Sequence, residues 1–280
     1  MEAKKRHQVT KKVTLVGALV NGILAFLQIS SGLLGNSQAL LADGIHTLSD
    51  LGSDFIVLMA TTQSAKPADK EHPYGHGRIE TLASVLLGLV LIGVGVGVGF
   101  RGFNRVFSLN QISPEPFTIF FAVIAILSKE GLYRYTLKAS KHIHSTLLET
   151  NAWHHRSDAL SSIIVLCGIA AQMIGVPYMD SFAAAIVALM ISIMGYKLAR
   201  KALDELIDTS RDSELVENSQ HTIEKRESVK DVHSLRTRSM GGQGYIDAEI
   251  RVNPRLTVSE AHHIAFSLEQ QIKTELPKII

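Results

Sequence analysis

Apolar residues crowd the first 200 positions in six long runs, at about 13–34, 38–62, 82–107, 117–138, 147–174 and 178–199, with polar connections between them. The hydrocarbon core of a bilayer is about 30 Å thick and takes roughly 20 apolar residues per helical span, so this rhythm predicts six membrane helices. The third run is the purest: LASVLLGLVLIGVGVGVGF carries no charge, and its alternating glycines permit close helix packing. The second and fifth are the weakest, because each carries histidine and aspartate in its interior.

After Asp208 the pattern becomes that of a water-exposed fold. Asp212–Arg226 reads as an amphipathic helix, Asp231–Arg238 and Tyr245–Val252 as strands around the turn MGGQG, and Ser259–Leu276 as a second helix. Thr257 is an N-cap with Glu260 at the third helical position, a capping box. Helix, strand, strand, helix is most of an α+β sandwich without its closing strand. The expected organisation is a basic tail over 1–12, an α-helical membrane domain with six transmembrane helices over 13–207, and a small α+β domain over 208–280.

Charge orients the bundle. Lys66, Lys70 and Arg78, then Arg134, Lys138 and Lys141, then Lys197, Arg200 and Lys201 lie with the basic N-terminus on one side, whereas the turns LGNSQ and IGVPYMDS carry no Lys or Arg. Such residues stay in the cytoplasm, which places both termini there in a multi-pass protein of the cell inner (plasma) membrane. Arg101 and Arg105 run against the bias and read as interfacial residues that snorkel to headgroups. The N-terminal apolar run is longer than a signal-peptide core and lacks a clear cleavage site, so it reads as a retained helix behind a cytoplasmic tail. A net charge of +2 without a basic patch excludes nucleic acid as the partner. A single cysteine, Cys167, excludes a disulfide framework and a thiolate zinc cluster.

The chemistry lies where charge is most costly. In ADGIHTLSDLGSD, Asp43, His46, Asp50 and Asp54 recur every three or four residues and form one stripe on a helix. In NAWHHRSDALSS, His154 and Asp158 repeat the four-residue spacing of His46 and Asp50, with His155 as an alternative one position on. An ionisable group at mid-membrane costs about 2.5 to 3.5 kcal/mol on insertion scales, which a bound cation offsets. Two imidazoles and two carboxylates from two helices form a four-ligand shell suited to Zn2+, although the same groups could pair with one another or line a water-filled vestibule. Asp43 and Asp54 read as an approach path or as structural partners.

A second constellation, DKEHPYGHGRIE, is broken by Pro73, Gly75 and Gly77, which fold the backbone tightly enough to gather Asp69, His72 and His76, either around a metal or as solvated side chains. His142 and His144 read as solvated, and His233, His262 and His263 in the tail are candidate surface ligands.

Taken together, LLADGIHTLSDLGSD, DKEHPYGHGRIETLAS, NAWHHRSDALSS, VHSLRTR and EAHHIA resemble the cation diffusion facilitator family, in the same order and over nearly the whole chain. The resemblance implies a homodimer with six membrane helices per subunit and a cytoplasmic domain of ferredoxin-like form. It also implies export of a divalent metal in exchange for protons: a transporter rather than an enzyme. The family's transport site falls on His46, Asp50, His154 and Asp158, its loop site on Asp69, His72 and His76, and its tail ligands on His233 and His262. A charge pair falls on Arg78 and Asp208. Many bacterial zinc exporters of the family have aspartate where His46 stands, whereas eukaryotic zinc transporters have histidine. Two carboxylates rather than three favour Zn2+ over Mn2+ on ligand softness, with Fe2+, Co2+, Ni2+ and Cd2+ as alternatives. Glu249 stands where some relatives have histidine, and the final strand with its ligands is missing, so the tail departs from the pattern. Two other readings are an intramembrane metalloenzyme, which the chain's lack of HExxH disfavours, and a metal sensor that does not transport.

Overall fold

The computed structural model describes residues 2–64, 66–106, 113–143, 146–210, 213–240 and 243–275. Six long helices come first: α1 (Glu2–Leu34), α2 (Gln38–Ser64), α3 (Arg78–Val106), α4 (Phe117–Ile143), α5 (Thr146–Met173) and α6 (Met179–Leu206). The shortest have 27 residues, about 40 Å at 1.5 Å per residue, so every one exceeds the apolar thickness of a bilayer. They match the six expected runs but are longer, since α1, α4 and α6 continue into the charged flanks and α3 starts at Arg78.

Among the described residues, Val9–Leu34, Arg78–Val106 and Met179–Leu206 are also apolar enough to qualify as spans by composition alone. The weakness expected of α2 and α5 is present, and α4 shares it, because Lys129, Glu130 and Arg134 interrupt its apolar run. Large apolar side chains such as Phe26, Phe100, Phe120, Leu127, Leu160 and Leu189 are exposed on these helices, a surface that only lipid or another protein would cover.

The chain packs as two units, Met1–Phe55 with Gly88–Lys197, and Ile56–Leu87 with Leu198–Ile280. In the first, α4 packs on both α1 and α5. Glycine sets two close approaches there. A Cβ on Gly44 of α2 would sit 2.8 Å from the Ile29 backbone nitrogen of α1, and one on Gly95 of α3 would sit 2.7 Å from the Ala188 carbonyl of α6. Of the glycines in the purest apolar run, Gly93 and Gly97 face open space, so the expected close packing is concentrated at Gly95.

The second unit holds the loop between α2 and α3 and the tail: α7 (Ser213–Glu224), β1 (Asp231–Met240), β2 (Gln243–Arg251) and α8 (Val258–Glu275). The strands pair antiparallel from Asp231 opposite Arg251 to Met240 opposite Gln243, with an irregularity between Val232 and Ser234. Ile223, Val229, Leu268 and Ile272 form the core, with Val232, Leu235, Ile246, Ile250 and Ile264 packed against it. The helix-strand-strand-helix order is the expected one, and the described residues contain two strands. The capping box is formed in both directions: Glu260 N donates to Thr257 Oγ1 at 3.3 Å, and Thr257 N donates to Glu260 Oε2 at 2.7 Å. Thr257 N and, at 2.8 Å, Thr257 Oγ1 both donate to the Glu260 carboxyl and hold it below its ordinary range.

Candidate metal centre

Helix α2 carries the first half of the site, and its start is fixed by two side chains. Ser37 Oγ accepts from Leu40 N at 3.1 Å as an ordinary N-cap. From the first turn of α6, the Asp180 carboxylate accepts from Ser37 Oγ at 2.6 Å, Gln38 N at 2.6 Å and Ala39 N at 3.3 Å. The helix therefore begins at a determined position, and about two turns further on His46 points into the bundle, buried.

His46 Nε2 lies 3.8 Å from Asp50 Oδ2 on its own helix and 3.9 Å from Asp158 Oδ1 on α5. Ligand atoms of these three residues all fall within 4.8 Å of one another. Atoms bound to tetrahedral Zn2+ at about 2.0–2.1 Å stand roughly 3.3 Å apart, so the two contacts of His46 would each shorten by about half an ångström around an ion. The other ring nitrogen of His46, Nδ1, is buried and has no hydrogen-bond partner among the described residues, so no partner there fixes the tautomer.

The fourth expected residue lies at the edge. His154 Nε2 is 3.7 Å from Asp158 Oδ2 but outside the three-residue cluster, and its side chain is 45% exposed. His155, the alternative, is buried and turned towards α1, with Nε2 3.7 Å from where a Cβ on Gly17 would sit. Asp158 thus faces His46 with one oxygen and His154 with the other. Asp54 is exposed. Asp43 is fully buried and ion-paired with Lys129 of α4 at 3.1 Å, which makes it a structural partner. Sequence reasoning missed that lysine. Its signal was a cation at the middle of a membrane run, which demands a buried partner.

The loop gathers its three residues as the glycines and proline require. Asp69 Oδ1 is 3.2 Å from His72 Nδ1, Asp69 Oδ2 is 3.5 Å from His76 Nε2, and the two imidazole rings are 4.3 Å apart. Gly75, at φ 83°, adopts the left-handed turn that lets its nitrogen reach the His72 carbonyl at 2.9 Å. The backbone N–H of His72, its ring and the N–H of Glu71 all donate to Asp69, holding its carboxyl below the usual range. His76 Nδ1 is a second buried nitrogen without a partner among the described residues. The implied charge pair is also present, Arg78 to Asp208 at 3.0 Å, half exposed and therefore of small energetic value.

The tail residues do not converge. Among the described residues, neither His233 nor His262 belongs to a cluster of three ligands. Arg251 on the neighbouring strand lies 2.8 Å from His233 Nδ1, and the guanidinium, which can only donate, takes the lone pair a metal would need. His142 is exposed at the end of α4, and His144 lies outside the described residues.

Known proteins agree with this architecture. Residues 14–207 match the cation efflux transmembrane domain, and residues 211–280 match the cytoplasmic domain of cation efflux proteins. The chain is 32% identical to Metal tolerance protein C1 of Arabidopsis thaliana over 96% of its own length, spanning 60% of that protein. It is 31% identical to the manganese efflux system protein MneP of Bacillus subtilis, covering 99% of this chain and 95% of that one. It is also 31% identical to magnetosome protein MamB of Magnetospira, over 89% and 85%. With both domains matched in order across almost every residue, the chain belongs to the cation diffusion facilitator family of cation efflux proteins.

Proposed function

We propose that the protein exports a divalent transition metal, with zinc as the leading substrate, from the cytoplasm in exchange for protons. The observation that carries this is the convergence of His46, Asp50 and Asp158 from two helices inside the membrane domain. Ligating histidine must be neutral and ligating carboxylate ionised, so metal and protons compete for the same atoms. A centre that alternately faces either side of the membrane then returns carrying protons, and His154 completes the ligand shell from the rim. The matched cytoplasmic domain supports a homodimer, with both termini in the cytoplasm of a cell's plasma membrane. Manganese is the second reading, favoured by the name of the Bacillus subtilis relative.

Purified protein in liposomes, loaded with a metal dye and a pH dye, tests both parts. Zinc entering at equal concentration with manganese should outrun it, and each ion should move protons the other way. Metal flux with no proton movement would refute antiport, and metal-dependent signals without flux would point to a sensor.

The loop cluster should bind a separate ion that is not on the translocation path. His76→Ala is expected to lower bound zinc by one ion per chain in equilibrium dialysis while changing flux less than about threefold. A tenfold loss of flux would place the loop on the path itself.

A further inference from the structure

The metal centre uses only part of the buried polar residues of the helical unit, and a second layer lies beside it. In this layer Lys129 Nζ of α4 donates to Asp43 Oδ1 of α2 at 3.1 Å and to Ser162 Oγ of α5 at 2.8 Å. Ser162 Oγ donates to Asp43 Oδ2 at 2.6 Å, Gln28 Nε2 of α1 donates to the same oxygen, and Thr47 Oγ1 donates to Gln28 Oε1 at 3.2 Å. Lys129 is 2% exposed and Asp43 0%. Lys129 Nζ, both Asp43 carboxylate oxygens, Ser162 Oγ, both polar atoms of the Gln28 amide and Thr47 Oγ1 each have at least one partner within the protein.

The register gives this layer a consequence. Asp43 lies three residues before His46, and Ser162 four residues after Asp158, so each is one helical turn from a metal-facing side chain. The ammonium group from α4, together with the direct Ser162–Asp43 bond, therefore ties α2 to α5 a single turn from the atoms that would close on an ion. It also neutralises Asp43, so that Asp50 and Asp158 alone supply carboxylate charge to the centre.

We propose that Lys129 is a positioning residue for the metal centre, and that its bridge between Asp43 and Ser162 sets the α2–α5 spacing and with it the preference for small over large divalent ions. This rests on His46, Asp50 and Asp158 being the transported ion's ligands. An ion with longer bonds needs the two helices further apart, and a bridge held from both sides resists that separation. Removing the bridge relaxes the resistance and shifts preference towards the larger ion, Mn2+ over Zn2+.

The informative variant is Lys129→Met combined with Asp43→Asn, since removing both charges of a buried pair is far milder than stranding one. Flux is measured in liposomes for Zn2+ and Mn2+ separately, giving the ratio of the two KM values. A purely structural role lowers Vmax for both ions and leaves that ratio alone. The expected result is a ratio moved more than threefold towards Mn2+, and a ratio within threefold of wild type overturns the proposal. Should the double variant not reach the membrane, Lys129→Arg, which keeps the charge but changes the reach, is read by the same ratio and the same threshold. Asp50→Asn serves as the control: if it transports like wild type, the assignment of the centre itself fails, separately from the role of Lys129.

Discussion

Asp158→Asn is expected to reduce metal transport at least about 100-fold in kcat/KM, since even partners one step removed from a metal ligand cost 10–100-fold. Asp158 faces a histidine on each side, with one oxygen 3.9 Å from His46 Nε2 and the other 3.7 Å from His154 Nε2. Asparagine preserves the shape and keeps one acceptor, so packing of the buried side chain is retained while the negative charge is lost. Of the two carboxylates facing the ion, only Asp50 then remains, and the cation would enter a low-dielectric site with half its countercharge. The loss should appear mainly as weaker binding: zinc titrated calorimetrically into the detergent-solubilised protein should show the transport-site event disappear while the loop event at Asp69, His72 and His76 persists. Flux above one tenth of wild type, at equal reconstituted protein, would show that α5 contributes no essential ligand.

What the sequence disclosed and what it hid divide along physical lines. Apolar run length reports helices directly, so all six were legible, as was the capping box at Thr257, whose partners are three residues apart. Local spacing also located the loop cluster, because Asp69, His72 and His76 meet within a single tight turn. Contacts between helices were less visible. Periodicity placed Asp43 on the same stripe as His46, yet its partners Lys129 and Ser162 stand 86 and 119 residues away, on helices whose rotation no local pattern reveals. Likewise the matching spacing of His154 with Asp158 and of His46 with Asp50 predicted four equivalent ligands. Helix α5 is instead rotated so that His154 lies at the rim and three residues form the cluster. The tail histidines were the weakest signal, and Arg251 beside His233 shows why: a residue type without its surroundings does not define a site.

Asp180→Ala should cost about 3 kcal/mol of stability, from roughly 1–3 kcal/mol for each buried donor left without a partner. Nothing in the turn IGVPYMDS marks this residue, but it is 1% exposed and caps a helix other than its own. Its carboxylate receives Ser37 Oγ, Gln38 N and Ala39 N, the donors that open α2, and its own backbone N–H donates to Gln172 Oε1 at 2.9 Å. The first N–H groups of a helix have no partner within the helix, and the helix dipole places partial positive charge there, so a carboxylate supplies both acceptors and countercharge. Alanine leaves those groups unpaired where α2 must hold its register for His46 and Asp50. Asparagine keeps one acceptor oxygen, loses the charge and should fall between the two. Because a membrane protein often unfolds irreversibly, the three proteins are compared by thermal unfolding in one detergent at one scan rate. The expected order of midpoints is wild type, Asp180→Asn, Asp180→Ala, the last lower by several degrees. Zinc affinity of the folded Ala variant should stay within about threefold of wild type, since no donor to Asp180 touches the ion's ligands. A midpoint within 1 °C of wild type would mean that water, and not Asp180, satisfies the start of α2.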